Sequence, residues 1–192
     1  QFPPSPFPMH FGSRIVVDGD HLWITTGEHF APVERVKAQD IATTFGKVIR
    51  LMRDGSIPPD NPFDGEVSAE IWSLGHRNPL GIANDAEGRL WVIEMGPAGG
   101  DELNLIQRGG NYGYPTVSDG NHYDGRKMPN HSTHPELIAP KISWTPVISP
   151  GDMLLYQSEL FGDWQGDLLV PGLSSQALIR VKIDGDSASE VA

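Results

Sequence analysis

The sequence contains no cysteine, which excludes disulfide staples, zinc–thiolate centres and thiol nucleophiles. It has no apolar run approaching the length of a membrane-spanning helix, so no membrane insertion of that kind is expected. Basic residues are scarce: 14 Lys and Arg stand against 25 Asp and Glu, a net charge of −11. A surface of that sign disfavours nucleic acid and anionic membranes as partners and welcomes cations. The first eight residues, Gln1-Phe2-Pro3-Pro4-Ser5-Pro6-Phe7-Pro8, lack the basic start and apolar core of a signal peptide. They read as an extended linker or as the interior of a longer chain.

What is abundant is punctuation. With 22 Gly and 17 Pro in 192 residues, the chain is cut into short apolar runs, which suits an all-β protein better than a helical one. Arg14-Ile15-Val16-Val17 and His21-Leu22-Trp23-Ile24-Thr25-Thr26 read as strands around an Asp18-Gly19-Asp20 turn. Further strands follow at 46–51, 70–74, 82–84, 90–93 and 103–106. The three prolines of Ser56–Phe63 forbid sheet pairing there. Residues 34–44 hold at most a helical turn, and 116–141, with His122, His131 and His134, read as a polar surface excursion. Strands resume at 153–156, 167–170 and 177–183, and a partner strand is expected where the chain stops at Ala192.

The strands repeat weakly. His21-Leu22-Trp23-Ile24 and Arg89-Leu90-Trp91-Val92 each follow an Asp/Gly turn and precede a loop and a strand carrying basic residues. Short, evenly spaced strands with an aromatic motif per unit predict a β-propeller of about three or four blades over 1–192, a single domain at the low limit for ring closure. A jelly roll or sandwich would explain the strands but not the repeated Leu-Trp hairpins.

Two loops flank the second of these hairpins. Gly75-His76-Arg77-Asn78-Pro79-Leu80-Gly81 offers a cation and amides; Met95-Gly96-Pro97-Ala98-Gly99-Gly100-Asp101-Glu102 offers glycine-exposed carbonyls and two carboxylates. A tight hairpin brings such loops out side by side, where an anionic organic cofactor and a hard metal ion could be held together.

Six motifs occur in order: Gly46-Lys47-Val48-Ile49-Arg50, Asp54-Gly55-Ser56-Ile57-Pro58-Pro59-Asp60-Asn61-Pro62, Gly75-His76-Arg77-Asn78-Pro79, Gly96-Pro97, Asp101-Glu102-Leu103-Asn104-Leu105-Ile106 and Gly110-Asn111-Tyr112-Gly113-Tyr114-Pro115. The series resembles the soluble quinoprotein glucose and aldose sugar dehydrogenases, which use pyrroloquinoline quinone (PQQ), from about Met9 to about Asp184. The resemblance implies a six-bladed β-propeller of which this chain covers roughly the middle three to four blades. It further implies PQQ and Ca2+ as cofactors, an aldose oxidised at its anomeric C1-OH to the lactone, and an external electron acceptor. A periplasmic or secreted location and a possible homodimer belong to the same implication.

Residue by residue, the resemblance makes His10 the general base, in Met9-His10-Phe11-Gly12, and Arg77 the cation beside the quinone with Asn78 as its neighbour. Gly96 and Pro97 match main-chain carbonyl ligands of the cofactor's calcium, Met95 and Asp101 line the cofactor, and Glu102 with the Tyr112 carbonyl matches a structural metal pair. Ser174 stands where the family often has a cofactor-binding lysine. Met9 replaces the acidic residue that precedes the family's base, and Met95 replaces a polar residue. His76 reads as structural. These departures keep two alternatives open: a non-catalytic, calcium-stabilised propeller binding protein or glycan, and a calcium-dependent propeller lactonase.

Overall fold

The structure is a computed structural model describing residues 4–191; Gln1, Phe2 and Pro3 of the expected linker, and Ala192, lie outside the described residues. Its strands form three antiparallel four-stranded sheets, each a meander in which sequence neighbours are sheet neighbours. The first sheet contains β1 (Gly12–Asp18), β2 (His21–Thr26), β3 (Lys47–Met52) and β4 (Ile71–Leu74). The second contains β5 (Pro79–Asn84), β6 (Leu90–Glu94), β7 (Asp101–Leu105) and β8 (Ile142–Trp144). The third contains β9 (Leu154–Leu155), β10 (Leu168–Gly172), β11 (Ala177–Asp184) and β12 (Ser187–Val191). β1 lies beside β5, and β5 beside β9, so the sheets fan out from their first strands as three propeller blades.

Alternation along the second strand of each blade explains the stacking. In β6, Leu90 and Val92 face the first blade, joining Trp23, Val48 and Ile82, while Trp91 and Ile93 face the third, joining Leu168, Val170 and Val181. Successive side chains point to opposite faces, so one apolar run fills two inter-blade layers. Trp23 occupies the same position in β2 and faces the second blade, which makes the Leu-Trp repeat a true structural repeat. In β10, Leu169 stands at the tryptophan position, paired with Arg180 as Trp23 is paired with Arg50.

At one end of the blades lie the approach to β1 and the β2–β3, β4–β5, β6–β7, β8–β9 and β10–β11 connections, and these build the site. The β2–β3 connection contains α1 (Pro32–Arg35) and a 3-10 turn at Val36–Gln39, the helical turn expected there. Lys47 anchors it: fully buried, its Nζ donates to the carbonyls of Lys37, Ala38 and Phe45 at 3.0, 3.0 and 2.6 Å. Burial pulls this ammonium down to about 7, with Asp40 opposing.

Three expectations need correction. The loop before the central hairpin is shorter than expected, because β5 begins at Pro79, where pairing with Glu94 already satisfies the backbone. Asp101 and Glu102 open strand β7 instead of belonging to the loop, and both are buried. The 116–141 excursion is only partly surface: Val117, Ser118, Met128 and His131 are buried against Tyr112 and Tyr114, which belong to the core.

Candidate active site

His10 stands on the approach to β1, in the left-handed region at φ 52°. Its carbonyl fits against Gly27, where a Cβ would come within 1.8 Å, so only glycine permits the approach. The ring Nδ1 donates to Glu28 Oε1 at 2.8 Å. A carboxylate can only accept, so this bond fixes the tautomer and leaves the Nε2 lone pair available. Glu28 is completely buried and its Oε2 has no protein partner. Glu28, on the β2–β3 connection, is thus the carboxylate that orients the His10 ring. Nothing at the level of motif spacing singles Glu28 out.

The next residues carry further strain: His29 and Phe30 are both left-handed, at φ 65° and 69°. Non-glycine residues held there cost on the order of 1–3 kcal/mol each and persist only where the surroundings impose them. Here Arg35 imposes it, donating twice to the Phe30 carbonyl at 3.2 and 2.7 Å. The Phe30 ring meets His10 edge to face at 5.1 Å.

Backbone bonds tie this segment to the β4–β5 link. Glu28 N–H donates to the Arg77 carbonyl at 2.9 Å, and Gly12 N–H donates to Asn78 Oδ1 at 3.2 Å. Asn78 therefore turns its oxygen inward and keeps its Nδ2 as the donor end. Glu94, at the end of β6, fixes the link from the other side. Its Oε1 accepts from His76 Nδ1 at 2.9 Å and its Oε2 from Arg77 N–H at 2.6 Å. His76 also accepts from Ser73 Oγ at 2.9 Å and stacks on Tyr112 at 4.7 Å, which gives it a structural setting.

Arg77 is buried, and among the described residues its guanidinium makes no ion pair with a carboxylate. Nη1 donates to the carbonyls of Met95, at 2.9 Å, and Gly96, while Nη2 donates to Tyr123 Oη at 3.2 Å; Nε has no partner. The Tyr114 and Tyr123 ring centroids each lie 5.8 Å from its central carbon. An unneutralised buried cation beside carbonyls and aromatic rings fits an anionic aromatic ligand.

The β6–β7 loop that supplies those carbonyls is held by Asp101. Oδ1 accepts from Gly96 N–H at 2.8 Å, and Oδ2 from Ile148 and Ser149 N–H at 2.9 and 2.7 Å. Burial raises the Asp101 carboxyl above its ordinary value, while these amides pull it back. Both oxygens are engaged in pinning the loop. A Cβ on Gly96 would sit 2.1 Å from the Gly100 carbonyl, so the turn admits only glycine there. Beside it opens a cavity of about 560 Å3, walled by Met95, Pro97, Tyr123, Pro146 and Val147. Ser149 is on its rim, and Ser174 reaches it through a bond between the two serine hydroxyls.

Glu102 lies deeper. Burial first, then the neighbouring Glu94, push its carboxyl well above the usual range, and only Asn104 donates to it, at 3.4 Å. Two buried carboxylates without a counter-cation suit a hard metal ion. The Tyr112 carbonyl, its expected partner, accepts from His131 Nε2 at 3.1 Å. No cluster of three or more His, Asp or Glu side chains is disposed around a common cation position among the described residues. Any calcium at Gly96 and Pro97 would rely on main-chain oxygens, and the Gly96 carbonyl now faces the Arg77 cation.

Three propeller blades thus carry a histidine–carboxylate pair, a buried arginine and a carbonyl-lined loop at one end. Comparison with known proteins gives the family. The chain belongs to the glucose / sorbosone dehydrogenase family, whose model matches residues 1–192. It is 40% identical over 189 residues to the aldose sugar dehydrogenase YliI of Escherichia coli, covering 94% of this chain and 50% of that protein. The crystal structure of the soluble aldose sugar dehydrogenase from Escherichia coli in the apo-form superposes with a TM-score of 0.84 at 38% identity, over 95% of this chain and 53% of that one. The PQQ-bound aldose sugar dehydrogenase of Streptomyces coelicolor gives 0.72 at 29% identity, over 95% and 49%. The chain spans about half the length of the curated relatives it matches.

Proposed function

We propose that this chain forms part of a PQQ- and calcium-dependent aldose dehydrogenase that oxidises the anomeric C1-OH of an aldose to the lactone. The observation that carries this reading is the pairing of two chemistries at one end of the blades. A base oriented by a buried carboxylate, His10 with Glu28, stands next to the buried, unneutralised Arg77. Family membership and the PQQ-bound relative support it.

In this reading Arg77 and the donor end of Asn78 would hold the anionic quinone, with Met95 and Pro97 walling the cavity beside it and Ser174 at the cavity rim. The carbonyls of Gly96 and Pro97 would hold the cofactor's calcium, and Glu102 with the Tyr112 carbonyl would hold a structural one, each ion displacing the donor that Arg77 or His131 now presents to its carbonyl. When bound, PQQ supplies the two-electron acceptor. His10 Nε2 takes the proton of the anomeric hydroxyl, and Glu28 stabilises the imidazolium that results. Arg77 places positive charge where electron density accumulates. Asp101 keeps the carbonyl loop rigid, so the metal oxygens need not be ordered on binding.

Reconstitution of the full-length protein with PQQ and Ca2+, followed by dye reduction with a panel of aldoses, tests the reading. Sugar-dependent reduction that disappears in His10→Ala is expected. Turnover of a lactone without PQQ, or absence of quinone binding, would instead identify a hydrolase or a binding propeller.

A further inference from the structure

The site includes two aromatic rings that the chemistry above leaves without a task on the sugar. Phe30 is presented over His10 by two successive left-handed residues and is held from below by Arg35, whose guanidinium lies 5.8 Å from its ring. Tyr123 comes from the opposite direction, on the long β7–β8 excursion, which is stitched to the site loop by mutual backbone bonds between Ala98 and Asn121. Its ring is 64% exposed although its hydroxyl accepts from Arg77. The two ring centroids lie 6.2 Å apart, with their planes tilted by 43°. A large aromatic left in water, tethered at its polar end, together with a phenylalanine presented from strained backbone, is costly unless the exposed faces are used.

We propose that Phe30 and Tyr123 form the substrate platform of this site, an aromatic wall selecting aldopyranoses by the apolar face of the sugar ring. An aldopyranose with equatorial hydroxyls presents axial C–H bonds on each face, and such a face stacks on a π system while the hydroxyl edge stays free for polar partners. The platform borders His10 on one side through Phe30 and Arg77 on the other through Tyr123. A ring stacked there has its edge between the base and the cation. Neither residue moves a proton; both determine which sugar is held and in what orientation. This inference rests on the aldose reading above and adds to it the residues that recognise the substrate.

The test uses saturation-transfer NMR with glucose and the full-length protein without PQQ, alongside turnover of the loaded enzyme. Saturation is expected to pass to the axial C–H protons of the sugar, and to be lost in Phe30→Ala and Tyr123→Ala. It is retained in Tyr123→Phe, which keeps the ring. In the loaded enzyme KM rises about tenfold in either alanine variant, equivalent to about 1.4 kcal/mol, and rises more than kcat falls. Leucine at either position fills the space without a π face and separates stacking from folding. Sugar contact and KM unchanged in the alanine and leucine variants would overturn the platform while leaving aldose oxidation intact. Absence of both sugar contact and turnover in the unsubstituted protein would remove the platform together with the reading on which it rests.

Discussion

His10 and Glu28, 18 residues apart in sequence, meet through a 2.8 Å hydrogen bond between Nδ1 and Oε1, with the carboxylate sealed from solvent. The bond joins the approach to β1 with the connection after β2, so the His10 ring is oriented by a neighbouring loop instead of by its own segment. Replacing Glu28 with Gln keeps the volume and removes the charge that favours the imidazolium. Turnover should fall about 100-fold, the lower range for general-base assistance, with KM much less affected. Glu28→Asp should recover part of the loss. Steady-state kinetics on the reconstituted protein, with circular dichroism as the folding control, checks both.

Arg77 offers a second test, independent of turnover. Arg77→Leu leaves the Met95 and Gly96 carbonyls without their donor and removes the positive charge facing the cavity. PQQ affinity, read by absorbance titration in the presence of Ca2+, should drop at least ~10-fold, and Arg77→Lys should restore only part of it, because an ammonium lacks the planar fork.

Asp101 predicts a loss of stability. An asparagine there retains one accepting oxygen and turns an N–H2 group toward main-chain N–H donors that the carboxylate now satisfies. Asp101→Asn should cost about 1–3 kcal/mol in urea unfolding, with the 95–100 loop losing amide-exchange protection first.

His29 predicts a pH dependence. Burial against Phe11 and Phe45 lowers its pKa below the ordinary 6.5, opposed by the backbone at Phe7 and by Glu34 and Glu28, while the nearby His10 adds to the lowering. The unfolded chain therefore binds the proton more readily than the folded one. Stability from this group is complete above pH ~6.5 and is lost as pH falls toward the folded-state value. Thermal melts between pH 5 and 7.5 should show that decline, and His29→Phe should flatten it.

The blades were legible because their signal is local. The Leu-Trp strands carry apolar residues on both faces, and Asp/Gly turns mark their ends, so hairpins and their repeat emerge from neighbouring residues alone. The two loops beside the second hairpin stood out for the same reason, whereas Arg77, Asn78, Gly96 and Pro97 were singled out within them by the family resemblance. Glu28 and Tyr123 carry no comparable mark, since an isolated glutamate after a strand and a tyrosine in a polar stretch are ordinary. Glu28 reaches the site because a propeller gathers alternate connections from different blades at one end, and Tyr123 because the β7–β8 excursion runs back to the 95–100 loop, where Asn121 pairs with Ala98. The same stretch misled in another way: its polar composition disguised His131 and Met128, which are buried by the excursion folding back on Tyr112 and Tyr114.

The paired left-handed residues His29 and Phe30 set a conflict for anyone improving this protein's heat resistance. Glycine at either position would relieve backbone strain, and a selection scored only on survival at high temperature should drift in that direction. At position 30 the same change deletes the ring beside His10. If Phe30 holds the sugar as proposed, a variant chosen for shelf life would then bind it more weakly, whereas strengthening the Arg35 brace or the Lys47 anchor would harden the loop without that forfeit.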